Sequence, residues 1–364
     1  MAQTVTPRRP IDERPVLALS GGVGGAKLAL GLARVLPPGN LAVVANTGDD
    51  FTHLGLHIAP DLDTLTYVLA GLDNPQTGWG RRDETWSFMA TLAELGGETW
   101  FRLGDRDLAM HVERTRRLKG GETLSSITAD VTRRLGIASR ILPMTDDAVR
   151  TRVQTREGAL DFQHYFVGRQ CAPEVTGFIF DGAAQAAPHP DIIAALRHPG
   201  LRAAIICPSN PFISIDPILA LPDLRQALAA TAAPVIAVSP IIAGRAVKGP
   251  TAKMMAELGL VVDPLTVAAH YRGLIDGYVM DIADSELVDS ELARSQMAGM
   301  PDLPVETIRT LMQNRDDREA LSAHHFEREV YLRLAGEISR IIKREGCEKP
   351  SAGKSVPSAV RRAG

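Results

Sequence analysis

The chain has 364 residues, of which 45% are hydrophobic and 23% are charged, so it can bury a sizeable core. A net charge of −3 and an aromatic content of 5% exclude the basic surface and stacking platforms that nucleic-acid binding needs. No apolar run reaches the length of a membrane span, so no membrane partner is expected. The three cysteines cannot all pair with one another, which fits a reducing compartment and predicts a cytoplasmic protein.

Residues 16–45 have the pattern of a strand, a glycine-rich turn, a helix and a second strand. The apolar runs 16–19 and 41–45 flank a segment in which leucines recur at helical spacing until two prolines end the pattern. Such a unit joins parallel strands. Three later apolar runs, each followed by a helical pattern, are Val175 to Phe180, Ala203 to Cys207 and Val235 to Ser239. The repeated pattern predicts a doubly wound α/β fold with a mostly parallel sheet.

We predict a single domain over residues 15–345 with a disordered tail at each end. Residues 1–14 are polar and lack the apolar stretch of a signal peptide, and residues 346–364 are polar and basic. Residues 63–140 are mostly helical in pattern, which predicts a helical insertion over one side of the site. The candidate helices of this insertion are residues 83–95, 105–119 and 123–135.

The turn after the first strand is rich in glycine and ends in a lysine, with the sequence SGGVGGAK over residues 20–27. Glycines allow a sharp turn and close approach of a ligand, and the following helix presents free N–H groups and a positive dipole end to phosphate. The Lys-Ser/Thr pair of a Walker loop does not follow, and the alternative is a turn that serves packing alone. The residues predicted to bind phosphate are Gly21, Gly22, Gly24, Gly25 and Lys27.

Carboxylates cluster after the second strand. The segment 46–50 (NTGDD) follows that strand directly, and Asp61 and Asp63 come soon afterwards. The carboxyl ends of parallel strands carry the ligand crevice of such folds, and Mg²⁺ prefers carboxylates together with phosphate oxygens and water. We predict Asp49 and Asp61 as Mg²⁺ ligands, with Asp50 and Asp63 supporting them or binding substrate. For Asp63 the alternative is a helix N-cap.

Three histidines are expected to be loop, surface or packing residues rather than metal ligands. His53 and His57 have the spacing of a zinc-binding helix pair, but Gly55 between them and Pro60 after them disfavour a helix. His111 is likewise expected to be a surface or packing residue rather than a ligand.

A second polar loop follows the buried run that ends at Cys207. Three prolines between residues 208 and 217 keep this segment out of a regular helix. Ser209 and Asn210 could hold a phosphate or read a base there, and the alternative is a rigid connector. Asp105 begins a predicted helix, where it is either a site residue or only an N-cap.

Eight segments, taken in order over about residues 16–320, resemble one family, the 2-phospho-L-lactate transferases of deazaflavin coenzyme F-420 biosynthesis. The matching segments are residues 20–27, 46–50, 60–64, 78–80 with 84–86, 103–108, 208–211, 239–242 and 248–250. One such segment alone would be a weak signal, whereas eight in the same order are specific.

The resemblance implies a Rossmann-like fold, a homodimer and a requirement for Mg²⁺. The donor would be a phospho-acid joined through a diphosphate to GMP, and the acceptor the ribityl hydroxyl of the deazaflavin Fo. The products would be the phosphorylated deazaflavin and GMP. The acid itself stays open among phospholactate, phosphoenolpyruvate and phosphoglycerate.

The resemblance also assigns roles to individual positions. Asp49 and Asp61 match the family's metal positions, and the glycine loop would hold the donor phosphates. The loop with Ser209 and Asn210 matches the guanosine side, whereas Asn46, Asp50 and Asp105 lie in segments that border the acceptor. Asp50 or Asp105 would orient the acceptor hydroxyl or accept its proton, and we prefer Asp50.

Two other functions stay open on the sequence. A nicotinamide-dependent oxidoreductase could use the same fold, but it needs an acidic residue at the end of the second strand, where Asn46 stands. A non-catalytic regulator that binds a nucleotide or phosphate would keep the glycine loop, but it would have no need of the carboxylates.

Overall fold

The computed structural model describes residues 14–76, 79–246, 248–287, 290, 305–308, 335–336 and 338. Apart from Arg14, both predicted tails lie outside these residues. The strands in chain order are β1 (Val16–Ser20), β2 (Leu41–Ala45), β3 (Phe51–His53), β4 (Leu56–Ile58), β5 (Arg140–Pro143), β6 (Arg150–Thr155), β7 (Gly158–Asp161), β8 (Val175–Asp181), β9 (Ala203–Ile206), β10 (Val235–Val238), β11 (Ile241–Ile242), β12 (Arg245–Ala246), β13 (Gly277–Asp281) and β14 (Val305–Ile308).

The described residues form ten α-helices, which pack around or beside these strands. In chain order they are α1 (Gly22–Val35), α2 (Pro60–Ala70), α3 (Ser87–Glu94), α4 (Asp105–Lys119), α5 (Leu124–Arg134), α6 (Pro190–Arg197), α7 (Asp216–Leu219), α8 (Leu224–Ala230), α9 (Thr251–Glu257) and α10 (Pro264–His270). Single π-helical turns lie at His164–Gly168 and Pro211–Ile215, and a 3₁₀ turn lies at Ile282–Leu287. Among the described residues, no helix is long and apolar enough to cross a membrane.

Within the part of the chain that the structure describes, the main sheet has seven strands in the order β14-β13-β10-β9-β1-β2-β5, and every neighbouring pair is parallel. From β1 the chain builds outward through β2 and β5, and it then returns to the other side of β1 with β9. The strand order therefore reverses between β1 and β9, where a crevice opens at the carboxyl ends of the strands. The predicted Rossmann-like, doubly wound fold is confirmed.

Strand β1, an interior strand, shows why this sheet needs helices on both faces. Leu17 and Leu19 of β1 point into one apolar core, whereas Val16 and Ala18 point into another. The second core is closed by α1 and α2, whose apolar residues pack together against that face. Because both faces of β1 are buried, its sequence is continuously apolar, as is typical of parallel strands.

The prediction that the run beginning at Val175 joins the main sheet was wrong. It forms β8, which lies in a separate antiparallel sheet of three strands in the order β7-β6-β8. Phe178 and Phe180 pack against the core, whereas Ile179 between them is 40% exposed, so only one face of this part of the strand is buried. Antiparallel sheets tolerate one solvated face, and a short apolar run alone does not distinguish the two cases.

The crossover from β2 to β5 contains the helical insertion. Helix α4 has the predicted bounds, while α3 and α5 are shorter than their candidate segments. A hairpin of β3 and β4, which the sequence analysis did not predict, precedes α2. Helix α4 packs on β4 and on α5, so the insertion lies over the carboxyl end of the sheet.

Gly25 is required for the close packing of α1 on the strand ends. A Cβ atom at this position would lie 2.3 Å from Ser20 Oγ and 2.5 Å from Ser209 Oγ. We expect Gly25→Ala to destabilise the fold by about 1–3 kcal/mol, the usual cost of overpacking, as measured by urea unfolding.

Ser20→Ala provides the matched control for this prediction. Ser20 Oγ is buried and has no hydrogen-bond partner in the part of the chain that the structure describes. Its removal alone should change stability little, and Gly25→Ala combined with Ser20→Ala should regain part of the loss. Equal stability of Gly25→Ala and wild type would contradict the packing argument.

Candidate functional site

A cavity of about 640 Å³ opens at the carboxyl ends of the sheet, where the strand order reverses. The glycine loop forms its floor, together with the loops that follow β2 and β9. Helices α2 and α4 of the β2–β5 crossover form one wall, and the segment around the π-helical turn His164–Gly168 forms another. The sequence-predicted residues that line the cavity are Gly21, Gly22, Gly24, Asp49, Asp61, Asp63, Ser209 and Asn210.

The glycine loop is tied to both neighbouring strand ends. Gly22 has a positive φ of 63°, and its N–H donates to Asp61 Oδ1 at 2.5 Å. Ser209 Oγ accepts from the N–H of Gly21 at 3.1 Å and donates to the carbonyl of Gly21 at 2.7 Å. The loop therefore joins the carboxylate side of the cavity to the loop that follows β9.

Two predicted phosphate-binding residues lie behind the cavity rather than on its wall. Gly25 is buried against Ser20 and Ser209, so its role in this arrangement is packing. Lys27 is buried beside Lys248, which itself lines the cavity. Burial, reinforced by the positive charge of Lys248, lowers the pKa of Lys27 to about 7.

Asn46 brings the two predicted metal ligands together. Its Nδ2 donates to Asp61 Oδ2 at 3.0 Å and to Asp49 Oδ1 at 3.4 Å, while its Oδ1 accepts from the N–H of Gly48 at 2.8 Å. Asn46 is fully buried and does not line the cavity, so it holds the carboxylates from behind. The sequence analysis had assigned it to the acceptor.

The two carboxylates carry negative charge that the protein only partly balances. Burial raises the pKa of Asp61 to about 7, although hydrogen bonds from Asn46 and Gly22 oppose this rise. Burial, together with the nearby charges of Asp61 and Asp50, also raises the pKa of Asp49. A hard divalent cation would favour the charged forms, and these oxygen ligands fit Mg²⁺.

Asp50, the preferred catalytic residue of the sequence analysis, does not line the cavity. It is 2% exposed, and its Oδ2 lies 3.0 Å from His57 Nε2 on β4. Burial raises the pKa of Asp50, while the hydrogen bond to His57 opposes this change. In this arrangement Asp50 anchors the β3–β4 hairpin. His57, expected to be a loop histidine, lies on a strand and contacts Asp50.

Asp105, the second catalytic candidate, also lies away from the cavity lining. Its carboxylate accepts from Thr85 Oγ1 at 2.5 Å and from the N–H groups of Ser87 and Phe88 at 3.1 and 3.0 Å. These hydrogen bonds, that from Thr85 first, lower the pKa of Asp105. The carboxylate thus caps the first turn of α3, although Asp105 is itself the first residue of α4. This geometry gives no support to a catalytic role.

The loop after β9 reaches the cavity as predicted, but most of its polar side-chain groups form hydrogen bonds within the protein. Ser209 is committed to the glycine loop. Asn210 Oδ1 accepts from the N–H groups of Phe212 and Ile213, so it caps the π-helical turn that follows. Asn210 Nδ2 lies 3.3 Å from the sulfur of Met254. Both residues line the cavity and also serve as parts of a rigid connector.

An aromatic wall, which the sequence did not predict, forms part of this cavity. Although aromatic residues make up only 5% of the chain, six of them line this cavity. They are Tyr67, Trp79, Trp100, Phe101, Phe162 and Phe166. Trp100 also stacks on His164, with ring centroids 4.4 Å apart. These residues come from separate parts of the chain, so no local pattern in the sequence marks them as a group.

A buried polar network between α2 and α4 was also missed. Asp63 is paired with Arg114 through both carboxylate oxygens, one of them at 3.1 Å. Asp107 Oδ1 accepts from the hydroxyl of Tyr67 at 2.5 Å, and Asp107 Oδ2 lies 3.2 Å from His111 Nε2. The N-cap alternative for Asp63 was wrong, because Ala59 occupies the N-cap position of α2.

The fold and the cavity together are those of an α/β enzyme with a glycine-rich loop at a helix N-terminus and a buried pair of carboxylates. Residues 16–317 match the family of the 2-phospho-L-lactate transferase CofD. A phosphoenolpyruvate transferase from Kitasatospora aureofaciens is 42% identical over 280 residues, which cover 75% of this chain and 87% of that protein. A 2-phospho-L-lactate transferase from Methanosarcina mazei is 37% identical over 269 residues, covering 74% and 88%. The chain belongs to the CofD family and is a transferase of phosphorus-containing groups.

The fold is also that of a solved structure. A protein member of the UPF0052 family from Bacillus halodurans is similar to this chain with a TM-score of 0.54 and 13% identity. The similarity covers 92% of this chain and 100% of that one. At this identity the comparison supports the fold alone.

The ion pair of Arg114 and Asp63 should stabilise the insertion on the core. Arg114→Met would leave Asp63 buried without its cation, so we expect a loss of about 3–5 kcal/mol in urea unfolding. Arg116→Met is the matched control, because Arg116 pairs with Glu113 on the exposed face of the same helix. That variant should lose about 1 kcal/mol or less. Similar losses in both variants would contradict the prediction.

Burial of Lys27 should make stability depend on pH. Below pH 7 its ammonium group is buried in the folded protein, which disfavours folding; between about pH 7 and 10.5 the folded state releases a proton that the unfolded chain keeps. Wild-type stability should therefore gain from this residue as the pH rises through that range. We expect Lys27→Met to melt at a higher temperature than wild type at pH 6, with a difference that shrinks towards pH 10.

The exposed Lys119 on α4 provides the control for this comparison. Lys119→Met should show no such convergence with pH. A Lys27→Met variant that is less stable than wild type at pH 6 would show that the buried ammonium group is stabilising, contrary to this prediction.

Proposed function

We propose that this transferase moves a phospho-acid from a GMP-diphosphate carrier to the ribityl hydroxyl of the deazaflavin Fo, with release of GMP, in coenzyme F-420 biosynthesis. The family and the names of its relatives support this reaction. We further propose that Mg²⁺ is required and that the protein acts as a cytoplasmic homodimer. Light scattering coupled to size-exclusion chromatography tests the dimer.

One observation carries the proposal: a single cavity joins a buried carboxylate pair and a glycine loop to an aromatic wall. A diphosphate with a hard cation suits the first region. A planar, three-ring acceptor suits the second, because aromatic side chains bind flat apolar rings through stacking and burial of area. A substrate pair made of a phosphate carrier and a deazaflavin has these two characters.

In the proposed reaction, the acceptor hydroxyl oxygen forms a bond to the phosphorus that carries the acid. The bond from that phosphorus to the bridging oxygen breaks, GMP leaves with that oxygen, and the hydroxyl proton is lost. Transfer of this kind depends mainly on positioning and on neutralisation of charge. Asp49 and Asp61 would hold Mg²⁺, which would offset charge on the diphosphate when bound. The glycine loop would hold the donor phosphates through backbone N–H groups.

Release of these N–H groups is part of the proposal. The N–H of Gly22 donates to Asp61 and that of Gly21 to Ser209 in the present arrangement. When Asp61 turns its charge towards a cation, the N–H of Gly22 can donate to a phosphate oxygen instead. The N-terminus of α1 would then stabilise the leaving phosphate.

The identity of the phospho-acid that the donor carries is not determined. Relatives named as phosphoenolpyruvate transferases are 36–42% identical to this chain, and two named as 2-phospho-L-lactate transferases are 37% and 38% identical. These ranges overlap, so overall identity does not select a donor.

The two alternative functions need different residues at this site. A nicotinamide enzyme needs an acidic residue where Asn46 stands, and a phosphate-binding regulator needs neither the carboxylate pair nor the aromatic wall.

The direct test combines purified protein, Fo and Mg²⁺ with the guanylylated form of phosphoenolpyruvate, 2-phospho-L-lactate or 3-phosphoglycerate. GMP release and the mass of the deazaflavin product are followed for each donor. We expect product with at least one donor, and the preferred donor identifies the acid. Donor binding without turnover of any of the three would support the regulator instead, and binding of reduced nicotinamide would support the oxidoreductase.

The metal assignment predicts the effect of one substitution. Asp49→Asn removes a charge from the carboxylate pair, so we expect kcat to fall about a hundredfold at saturating Mg²⁺, because metal stabilisation of transferred charge is worth several kcal/mol. Asp161→Asn, at an exposed position on β7, is the matched control and should retain wild-type turnover. Near-normal turnover of Asp49→Asn would make the metal assignment wrong.

A further inference from the structure

The residue that binds the acceptor hydroxyl has still to be identified. Asp50 and Asp105, the two candidates from the sequence, do not line the cavity. Among the residues that the structure describes, four aspartates do line it: Asp49, Asp61, Asp63 and Asp107. The first two form the carboxylate pair, and both oxygens of Asp63 are engaged by Arg114. This leaves Asp107.

Asp107 lies where the two halves of the cavity meet. On one side it accepts a hydrogen bond from Tyr67 of the aromatic wall at 2.5 Å. On the other it lies 3.2 Å from His111 Nε2, and His111 Nδ1 is 3.7 Å from Asp63. Asp63 is two residues from Asp61 on α2. Asp107 therefore borders both the region suited to flat rings and the region suited to phosphates.

The carboxylate of Asp107 is held in place but not enclosed. His111 is 1% exposed, whereas the side chain of Asp107 is 19% exposed and faces the cavity. Although burial alone would raise its pKa, hydrogen bonds to His111 and Tyr67 lower the pKa of Asp107, so it stays charged at neutral pH. A fixed carboxylate with remaining lone pairs is a strong acceptor for a hydroxyl group.

The same group of side chains could instead bind a metal ion. Ligand atoms of Asp63, Asp107 and His111 lie within 4.8 Å of one another. However, Arg114 is already paired with Asp63, and its Nη1 lies 3.4 Å from His111 Nδ1. A cation placed in this cluster would face the guanidinium charge at short range, so the arrangement favours a neutral donor such as a hydroxyl group.

We infer that Asp107 accepts a hydrogen bond from a hydroxyl of the acceptor's ribityl chain and positions that chain between the aromatic wall and the carboxylate pair. Tyr67 and His111 hold the carboxylate in its orientation. The inference rests on the proposed function, because it takes the acceptor to be a ring system with a polyhydroxylated chain.

The test compares two ligands in the absence of donor. One is Fo, and the other is the same deazaflavin with a methyl group in place of the ribityl chain; binding is measured by fluorescence titration. A hydrogen bond to a charged group should make wild type prefer Fo by about tenfold to a hundredfold. We expect Asp107→Asn to lose most of this preference while binding the methyl analogue as wild type does.

Two further variants control for structural effects. Glu113→Gln makes the same chemical change on the exposed face of α4 and should keep the wild-type preference. Tyr67→Phe removes one donor to Asp107 and should lose part of the preference, even if Asp107→Asn fails to fold. In turnover assays, Asp107→Asn should raise the KM for Fo and leave the KM for the donor unchanged.

The outcomes separate this inference from the proposed function. The role of Asp107 would be overturned if Asp107→Asn and Tyr67→Phe each weakened the binding of Fo and of the methyl analogue equally. It would also be overturned if both variants kept the wild-type preference for Fo. Neither result would contradict the proposed transferase reaction. Failure of wild type to bind Fo at all would overturn the proposed acceptor, and this inference with it.

Discussion

The carboxylate of Asp61 is the interaction on which the rest of the site depends. One of its oxygens accepts from the N–H of Gly22 at the start of α1, and the other from Asn46 at the end of β2. Since Asp61 itself lies on the first turn of α2, a single side chain joins the glycine loop, the end of β2 and the first helix of the β2–β5 crossover. Its burial raises its pKa to about 7, so these two hydrogen bonds hold a carboxylate whose charge the protein alone does not fully balance.

The incompletely balanced negative charge of the carboxylate pair indicates a functional site. A buried carboxylate pair is unfavourable unless a partner offsets the charge, and perturbed carboxylates of this kind concentrate at functional sites. Asn46 keeps Asp49 and Asp61 close in spite of their repulsion. If the proposed function is right, the site would therefore be prepared for a cation and a phosphate ligand before either is bound, which would reduce the reorganisation needed at the moment of reaction.

The insertion completes the cavity from the opposite side. It is fixed to the core by the buried pair of Asp63 and Arg114, and it supplies Trp100, Phe101 and Asp107 to the cavity wall. The loops that follow the strands form the floor of the cavity at the carboxyl edge of the sheet, and the insertion covers that floor from the other side. The division matches the proposed substrates, with the phosphate carrier at the sheet and the ring system beneath the insertion.

The sequence by itself determined the sheet and the floor of the site. Apolar runs, the glycine turn and the carboxylates after β2 are local patterns, and they predicted the doubly wound fold and the meeting of Asp49 with Asp61. Local pattern failed for β8, because a short apolar run has the same composition in a parallel and an antiparallel sheet. It also failed for Asp50 and Asp105, since a carboxylate next to a site can equally well anchor a hairpin or cap a helix.

Only the tertiary structure decided which polar groups face the cavity. The aromatic wall and the network of Tyr67, Asp107 and His111 come from segments up to about a hundred residues apart, and packing of α4 against α2 and β4 brings them together. Asp107 and His111 are four residues apart on one helix, but spacing along the chain contains no record of the other contacts. The physical reason is that backbone periodicity sets the elements and their buried faces, whereas the direction of each side chain relative to a shared cavity depends on how those elements pack.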